Sequence, residues 1–518
     1  MSCLVLCMAT RERKNLHFNP SRPHIIMIVM DDLGSHDLGM HGSEISTPTC
    51  DHLAIQGIYL DNYYVLPSCS PTRAALMSGR YPLHTGVHTW IGKQSLAGLP
   101  LNEETLAQVL QRANYTTHAV GKWHLGHSSW NQTPTFRGFE SFYGFYMGSQ
   151  DYYTHQERDV DRILGYDFRW DSREWCGANC SQIVDERGNY STHVITQQAM
   201  YLIDKYAHSR QDKPFFLYLA FQAVHDPDEV PQSYIDAYKH KNWTDKRKIY
   251  AGMLTAADEG IANITRALQR AGLWKDTLLV FTTDNGGPTT TCAVQGSSNH
   301  PRRGGKCTVW EGGTTGDGFV SGPALYSIAG MVGNRRMTDI FHVVDWLPTL
   351  ADLVGVNPKG QPLDGVSQLA GLRNEAGRPP ARKEVFVGYA NADGKWYGPA
   401  IRYDQWKMVQ GESGGPYESN VNTTIFGGSD VPQAGGTLNA TYLLFDLHVG
   451  REENHNVAST YPEIVEFLRG RLDEYQKTYV PPQASYNKAC PFPGLAKNSI
   501  VGPAWYVRKT FASFLFCS

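Results

Sequence analysis

His24-Ile25-Ile26-Met27-Ile28-Val29-Met30, followed at once by Asp31-Asp32-Leu33-Gly34, decides the fold class of this 518-residue chain. So nearly continuous an apolar run predicts a strand covered on both faces, as in the parallel sheets of α/β proteins. Three further runs repeat the arrangement. Thr116–Val120 delivers Gly121-Lys122-Trp123-His124-Leu125-Gly126, Pro214–Phe221 runs into Gln222-Ala223-Val224-His225-Asp226-Pro227, and Thr277–Thr283 ends at Asp284-Asn285-Gly286-Gly287. Open α/β sheets bind ligands beyond the carboxyl ends of their strands, so these distant residues are expected to meet at one rim. The predicted architecture is α/β: a large mixed, mostly parallel central sheet flanked by helices, with a smaller C-terminal α+β domain.

The residue types at those strand ends sort by chemistry. Asp31, Asp32, Asp284 and Asn285 are hard oxygen donors that suit Ca²⁺ or Mg²⁺, whereas zinc would recruit His or Cys; Ca²⁺ is the expectation. Either acidic pair alone would read as a solvated turn or cap. Both together, each after an apolar strand, point to a metal. Lys122, His124, His225 and Lys306 supply positive charge and proton donors, although a lone Lys is ordinarily a surface charge.

A fifth motif, Cys69-Ser70-Pro71-Thr72-Arg73, bears the candidate nucleophile. A single Cys is more often a small buried hydrophobe, but Pro71 and Gly79 bracket a helix that starts at or just after Cys69, and a helix N-terminus favours an anion. The three residues between Cys69 and Arg73 are too few for a cysteine-phosphatase loop. Nothing singles out the His–Asn/Asp pair of a thiol protease.

Over Asp31–Gly42, Leu60–Gly86, Tyr115–Gly126, Phe215–Tyr234, Tyr250–Gly287 and Arg303–Val320, the chain resembles the type I sulfatases of the alkaline-phosphatase-like superfamily. It is most similar to their arylsulfatase B group, the N-acetylgalactosamine 4-sulfatases. The resemblance implies that a formylglycine-generating enzyme oxidises Cys69 to formylglycine, whose hydrate attacks sulfur with one hydroxyl and expels sulfate with the other. It implies that Asp31, Asp32, Asp284 and Asn285 bind one Ca²⁺ together with the modified Cys69. Arg73 and Lys122 would hold the aldehyde hydrate, His124 would take the proton that triggers elimination, and His225 and Lys306 would bind sulfate and assist the leaving alcohol. Lys122 would also bind substrate, and Asp37 would support the ligands from behind. The implied substrates are sulfated sugars such as N-acetylgalactosamine 4-sulfate units of glycosaminoglycans, degraded in the lysosome or outside the cell.

Two departures accompany the resemblance. Thr314-Thr315-Gly316-Asp317 stands where the family has Val-Arg-Gly, removing a basic residue near the site, and Cys50 stands where an apolar, Leu-like residue is expected. Two other readings stay open on the sequence: a phosphodiesterase or phosphonate hydrolase of the same superfamily, and a non-catalytic sulfated-glycan-binding protein with unmodified Cys69.

A formal charge of −3 gives no bulk attraction to nucleic acid or to a membrane surface. The apolar run Cys3–Ala9 is too short for a membrane span and poorly flanked for a signal peptide, so residues 1–22 read as an atypical or incomplete leader. Eight Asn-x-Ser/Thr sequons, at Asn114, Asn131, Asn179, Asn189, Asn242, Asn263, Asn422 and Asn439, favour the secretory pathway. Ten cysteines less Cys69 leave an odd nine, and Cys176 and Cys180 are spaced for a small loop. A catalytic domain is expected over 23–380, with Gly286–Gly318 as a long active-site loop leading into a strand Phe319–Val320, and a helical Val343–Val354. An α+β unit over 381–480 would carry strands Glu384–Tyr389 and Ala400–Val409, a Gly-rich loop Gly411–Gly436 and a helix Pro462–Thr478. Residues 481–518 form an extension.

Overall fold

The computed structural model describes residues 22–483, apart from 93–94, 159–163, 210–212, 290–291, 294, 393 and 414–441, together with the strand Ser499–Ile500. Expectations for residues 1–21, for the sequons Asn422 and Asn439 and for most of Gly411–Gly436 lie outside the described residues.

The first apolar run becomes β1 (His24–Met30), buried along its whole length. Its alternating side chains feed two different cores: Ile25, Met27 and Val29 join one, and Ile26, Ile28 and Met30 the other. A strand with helices on both faces has no solvent side, hence its unbroken hydrophobicity. The remaining strands, in chain order, are β2 (Ile58–Tyr64), β3 (Thr116–Lys122), β4 (Ser141–Phe145), β5 (Gln156–Arg158), β6 (Leu164–Tyr166), β7 (Arg169–Ser172), β8 (Gln182–Ile183), β9 (Phe215–Ala220), β10 (Thr277–Thr283), β11 (Gly318–Ser321), β12 (Arg335–His342), β13 (Glu384–Ala392), β14 (Lys395–Tyr403), β15 (Trp406–Gln410), β16 (Tyr442–Asp446) and β17 (Ser499–Ile500). Ten of them form one sheet in the order β12-β2-β11-β10-β1-β9-β3-β4-β7-β8. β10, β1, β9, β3 and β4 run parallel, so the four motif-bearing strands lie side by side at its centre. β11 and β7 break the parallel run at either side, each pairing antiparallel with its neighbours.

Helices Ser191–Ser209 and Asp245–Arg270 cover one face, and Cys69–Ser78, Leu106–Arg112 and Trp346–Val354 the other. A second sheet, β13-β14-β15-β16, is antiparallel throughout and packs against the helix Pro462–Gln476. Phe386, Ile401, Met408, Leu444, Leu468 and Leu472 of this part share a core with the large sheet, so apolar packing crosses the position of the expected 380/381 boundary.

The expected Ala400–Val409 strand is two strands. Asp404 takes a left-handed φ of 47°, a conformation its short polar side chain tolerates, and Tyr403 pairs with Trp406 across a two-residue turn. The expected Gly286–Gly318 loop contains the helical turn Glu311–Thr314, and its strand starts at Gly318. Pro71 is the third residue of its helix, within the first turn where N–H groups lack intrahelical partners, so it costs no hydrogen bond. Gly79 ends that helix at φ 68°. Of the sequons, Asn114, Asn131, Asn179, Asn189 and Asn242 are exposed. Asn263 is half-buried inside Asp245–Arg270 and accepts from Arg266 at 2.7 Å. Cys180 is disulfide-bonded, while the Cys176 side chain lies outside the described residues.

Candidate active site

Parallel pairing of Met30 with Thr283 sends Asp31 and Asp284 off the sheet at one level. Asp284 N–H donates to the Met30 carbonyl at 3.0 Å, and Val224 N–H to the Asp31 carbonyl at 2.7 Å, which brings the end of β9 to the same rim. Asp32 turns back with φ 60°. Its carboxylate accepts from Lys306 Nζ at 2.8 and 2.9 Å and from Asn285 Nδ2 at 2.7 Å, and its N–H donates to Asp284 Oδ1 at 3.3 Å. Behind this turn Asp37 accepts from Arg247, from Tyr250 at 2.9 Å and from Ser298 N–H at 2.9 Å, and Tyr250 in turn accepts from Gly34 N–H at 3.1 Å.

Asp31 Oδ1 and Asn285 Oδ1 are buried without a hydrogen-bond partner. Buried acceptors are normally satisfied, so an orphaned pair on facing strand ends calls for a cation. Carboxylate oxygens of Asp31 and Asp32 and a nitrogen of His225 all lie within 4.8 Å of one another. Burial, and then the neighbouring Asp284, push the Asp31 carboxyl up to about 7, against Lys122, His225 and Arg73. A divalent cation would relieve both the crowding and the unmet acceptors. With three carboxylates and an amide oxygen, the donor set fits a hard ion.

Cys69 opens the helix Cys69–Ser78 and is only 3% exposed. One turn on, Arg73 is wholly buried and forks onto the acidic rim: Nε and Nη2 donate to Asp284 Oδ2 at 3.1 and 2.8 Å, Nη2 reaches Asp31 Oδ2 at 3.3 Å, and Nη1 donates to Tyr218 at 3.3 Å. A guanidinium without water is tolerable only with partners of this kind. Cys69 lies within electrostatic reach of both Arg73 and Lys306.

Lys122, at the end of β3, donates to Asp31 Oδ2. Two residues later His124 has φ 54°, and its Nε2 lies 3.1 Å from the Ile91 carbonyl while Nδ1 is buried without a partner. Donation from Nε2 makes Nδ1 the lone-pair atom. Burial, reinforced by Lys122 and Arg73, pulls the His124 pKa well below its ordinary value, so the ring is a neutral proton acceptor. His225 is the opposite case. Burial and Lys306 pull it down, but Asp32, Asp31 and Asp226 prevail and hold it at about 9, so it is a proton donor at neutral pH. Its Nδ1 lies 2.7 Å from the Asp226 carbonyl and 2.8 Å from the Asp226 carboxylate. Lys306 is held by a tied loop: the Cys292–Cys307 disulfide closes it, Lys306 N–H donates to the Gly287 carbonyl at 3.2 Å, and Cys307 N–H donates to the Pro67 carbonyl at 2.7 Å, two residues before Cys69.

Asp31, Asp32, Arg73, Lys122, His225, Asp284, Asn285 and Lys306 are thus linked by direct contacts, with Cys69 and His124 beside them. Several contributors escape sequence reasoning. Asn299 clamps two loops, accepting from Ser35 and Gly287 N–H groups at 3.2 and 3.0 Å. Ser70 Oγ donates to the His124 carbonyl at 3.0 Å, and Ile91 N–H donates to Ser70 Oγ at 3.1 Å. The Ser298-Asn299-His300-Pro301 turn was a visible signal for Asn299; nothing local marks Ile91. In the departing stretch Asp317 is buried, 2.7 Å from His41 Nε2 and accepting from the Tyr59 hydroxyl at 2.9 Å, and nothing in the structure explains the missing basic residue. Cys50 is a buried free thiol whose N–H donates to Asp258 at 2.7 Å.

A family model for sulfatases matches residues 23–356. The chain belongs to the sulfatase family of sulfuric ester hydrolases. Mouse arylsulfatase J is 37% identical over 517 residues, covering 94% of this sulfatase and 81% of that protein. Mouse N-acetylgalactosamine-6-sulfatase is 30% identical over 364 residues, covering 68% of this chain and 66% of the relative. The crystal structure of Ps i-CgsB in complex with k-i-k-neocarrahexaose superposes with a TM-score of 0.74 at 26% identity, covering 90% of this chain and 96% of that one.

Proposed function

We propose that this sulfatase removes sulfate from sugars, N-acetylgalactosamine 4-sulfate units of glycosaminoglycans in particular, using a formylglycine made from Cys69 and one Ca²⁺. The observation that carries the reading is the convergence on the start of the Cys69 helix of a buried Arg73, a neutral His124, a protonated His225 and two lysines. Such a set has no use around an inert thiol. Asp31, Asp32, Asp284 and Asn285 would hold the ion, which would supply Lewis-acid activation and charge for the sulfate. Formylglycine would supply the nucleophile.

The chain's own groups then divide the work. Arg73 and Lys122 orient the group at position 69 and offset its charge. His124 Nδ1 accepts a proton, since its other nitrogen is committed to Ile91. His225 Nε2 and Lys306 Nζ face Asp32 and would bind sulfate oxygens, with His225 able to donate a proton to the departing alcohol. Relatives with N-acetylgalactosamine in their names and a structural neighbour solved with an oligosaccharide support a sugar substrate. Five exposed sequons support a secretory route, ending in the lysosome or outside the cell, where the modifying enzyme would meet the nascent chain. Among the described residues no helix is long and apolar enough to cross a membrane.

Mass spectrometry of the peptide spanning position 69, from protein made in a secretory host, tests the proposal. Formylglycine at 69, with turnover lost in Cys69→Ala, is expected. Unmodified cysteine in an active preparation would sink the mechanism.

A further inference from the structure

Exposed Trp396 and Tyr479 gather in a strip around His88, two residues before exposed Trp90, beside the site. Trp90 is 39% exposed, Leu96 52%, Trp396 42% and Tyr479 37%. Trp396 and Tyr479 come from separate segments joined through His88, whose ring lies 6.1 Å from Trp396, 5.1 Å from Tyr479 and 6.3 Å from Tyr389, and whose Nε2 is 2.7 Å from the Val480 carbonyl. Gln483 fastens the strip from the other end, accepting from Gly98 N–H at 3.0 Å and donating to the Gly98 carbonyl at 2.8 Å. The cluster is therefore built, and its upper rings are still left in water, an arrangement that monomers usually keep for binding.

Its position says what it would bind. Ile91, next to Trp90, bridges Ser70 and His124 through its own N–H and carbonyl, each at 3.1 Å, so the strip continues directly into the catalytic rim. A polar sulfate is gripped by cations within the rim, and the next part of a sulfated glycan to emerge is a ring with a C–H face. Flat, amphipathic Trp and Tyr rings suit such a face at low entropic cost.

We infer that Trp90 and Trp396, with Tyr479 behind them, form a stacking platform for the sugar next to the one that loses sulfate. This rests on the sulfated-sugar reading above. Binding energy gathered there acts on longer substrates only, making the enzyme select oligosaccharide over monosaccharide.

The test compares kcat/KM for three probes, 4-nitrophenyl sulfate, N-acetylgalactosamine 4-sulfate and a chondroitin sulfate trisaccharide ending in that residue, in wild type, Trp396→Ala, Trp90→Ala and Trp396→Phe. The expected result is a trisaccharide-to-monosaccharide ratio lowered roughly tenfold by either alanine variant, mainly through KM, and largely restored in Trp396→Phe. A ratio unchanged in both alanine variants, whatever happens to the absolute rates, overturns the platform. Wild-type enzyme that cleaves the aryl sulfate and neither sugar overturns the carbohydrate reading itself.

Discussion

Gly148 lacks a side chain because of a residue on another loop: a Cβ there would come within 2.6 Å of His124 Cε1. The ring would have to give up its place against Ile91, so Gly148→Ala is expected to lower kcat for an aryl sulfate by at least about tenfold, or ~1.4 kcal/mol of transition-state stabilisation, while the melting temperature changes little. A second residue-scale effect lies far from the rim. His24 is buried, and its Nδ1 accepts the Phe215 N–H at 3.2 Å; His342, likewise buried, accepts the Val344 N–H at 3.3 Å. Both must be neutral to do so. Burial lowers His24 to about 3, and it lowers His342 well below its ordinary value. Below pH 6.5 the unfolded chain takes up protons at these positions and the native chain does not, so their contribution is complete above that pH and is lost as the pH falls, for His24 down to about 3. For His24 the slope is about 1.4 kcal/mol per pH unit. Urea unfolding between pH 7 and 4.5 should therefore show a shallower loss of stability in His24→Gln than in wild type; parallel curves would contradict it.

Among elements, the loop between β10 and β11 depends most on its tethers. Cys292–Cys307 closes a span of 15 residues beside Lys306, and a loop of that size is worth about 3 kcal/mol in the unfolded-chain entropy account. Cys292→Ser/Cys307→Ser is expected to lower the melting temperature and to raise KM more than a distant surface change, because Lys306 loses one of its supports while the Pro67 hydrogen bond remains. Differential scanning calorimetry and steady-state kinetics on the same preparation check both. Elements also show where reading a sequence succeeds. The central strands were legible because burial on both faces leaves an unbroken apolar run, and their polar ends were legible because the run stops abruptly. The β14–β15 hairpin was not: its turn, Asp404-Gln405, lacks the Asn-Gly or Asp-Gly signal, and the strand-forming residues Ile401, Tyr403, Trp406, Met408 and Val409 on either side carry no break as strong as Gly or Pro. The active-site loop read correctly as a loop, but its hold on Pro67 is a contact across more than two hundred residues that no local pattern announces.

At the scale of the molecule, the small sheet is coupled to the site. Lys407 of β15 is buried 3.0 Å from Glu311 and 2.8 Å from Glu453, and Glu311 begins the helical turn that follows the Lys306 loop. Tyr64 also donates to Glu311, at 2.8 Å. The candidate residues at the ends of β1, β3, β9 and β10 were legible, since each follows an apolar run that stops abruptly; this supporting network was not, because its members, scattered over nearly four hundred residues, become neighbours only when the sheets close on each other. That closure sets a clock. Ser70, Pro71, Thr72 and Arg73 are buried along with Cys69, and the backbone around them is committed to a helix in the middle of the core. On the formylglycine reading proposed above, an enzyme that must grip this pentapeptide to oxidise Cys69 could do so only while the chain is still open, so maturation would precede folding. Purified folded protein carrying unmodified Cys69 is expected to resist a formylglycine-generating enzyme in vitro, whereas a synthetic peptide of residues 61–78 is converted. A cell that folds the chain faster than it modifies it would accumulate a stable, correctly shaped and permanently silent enzyme.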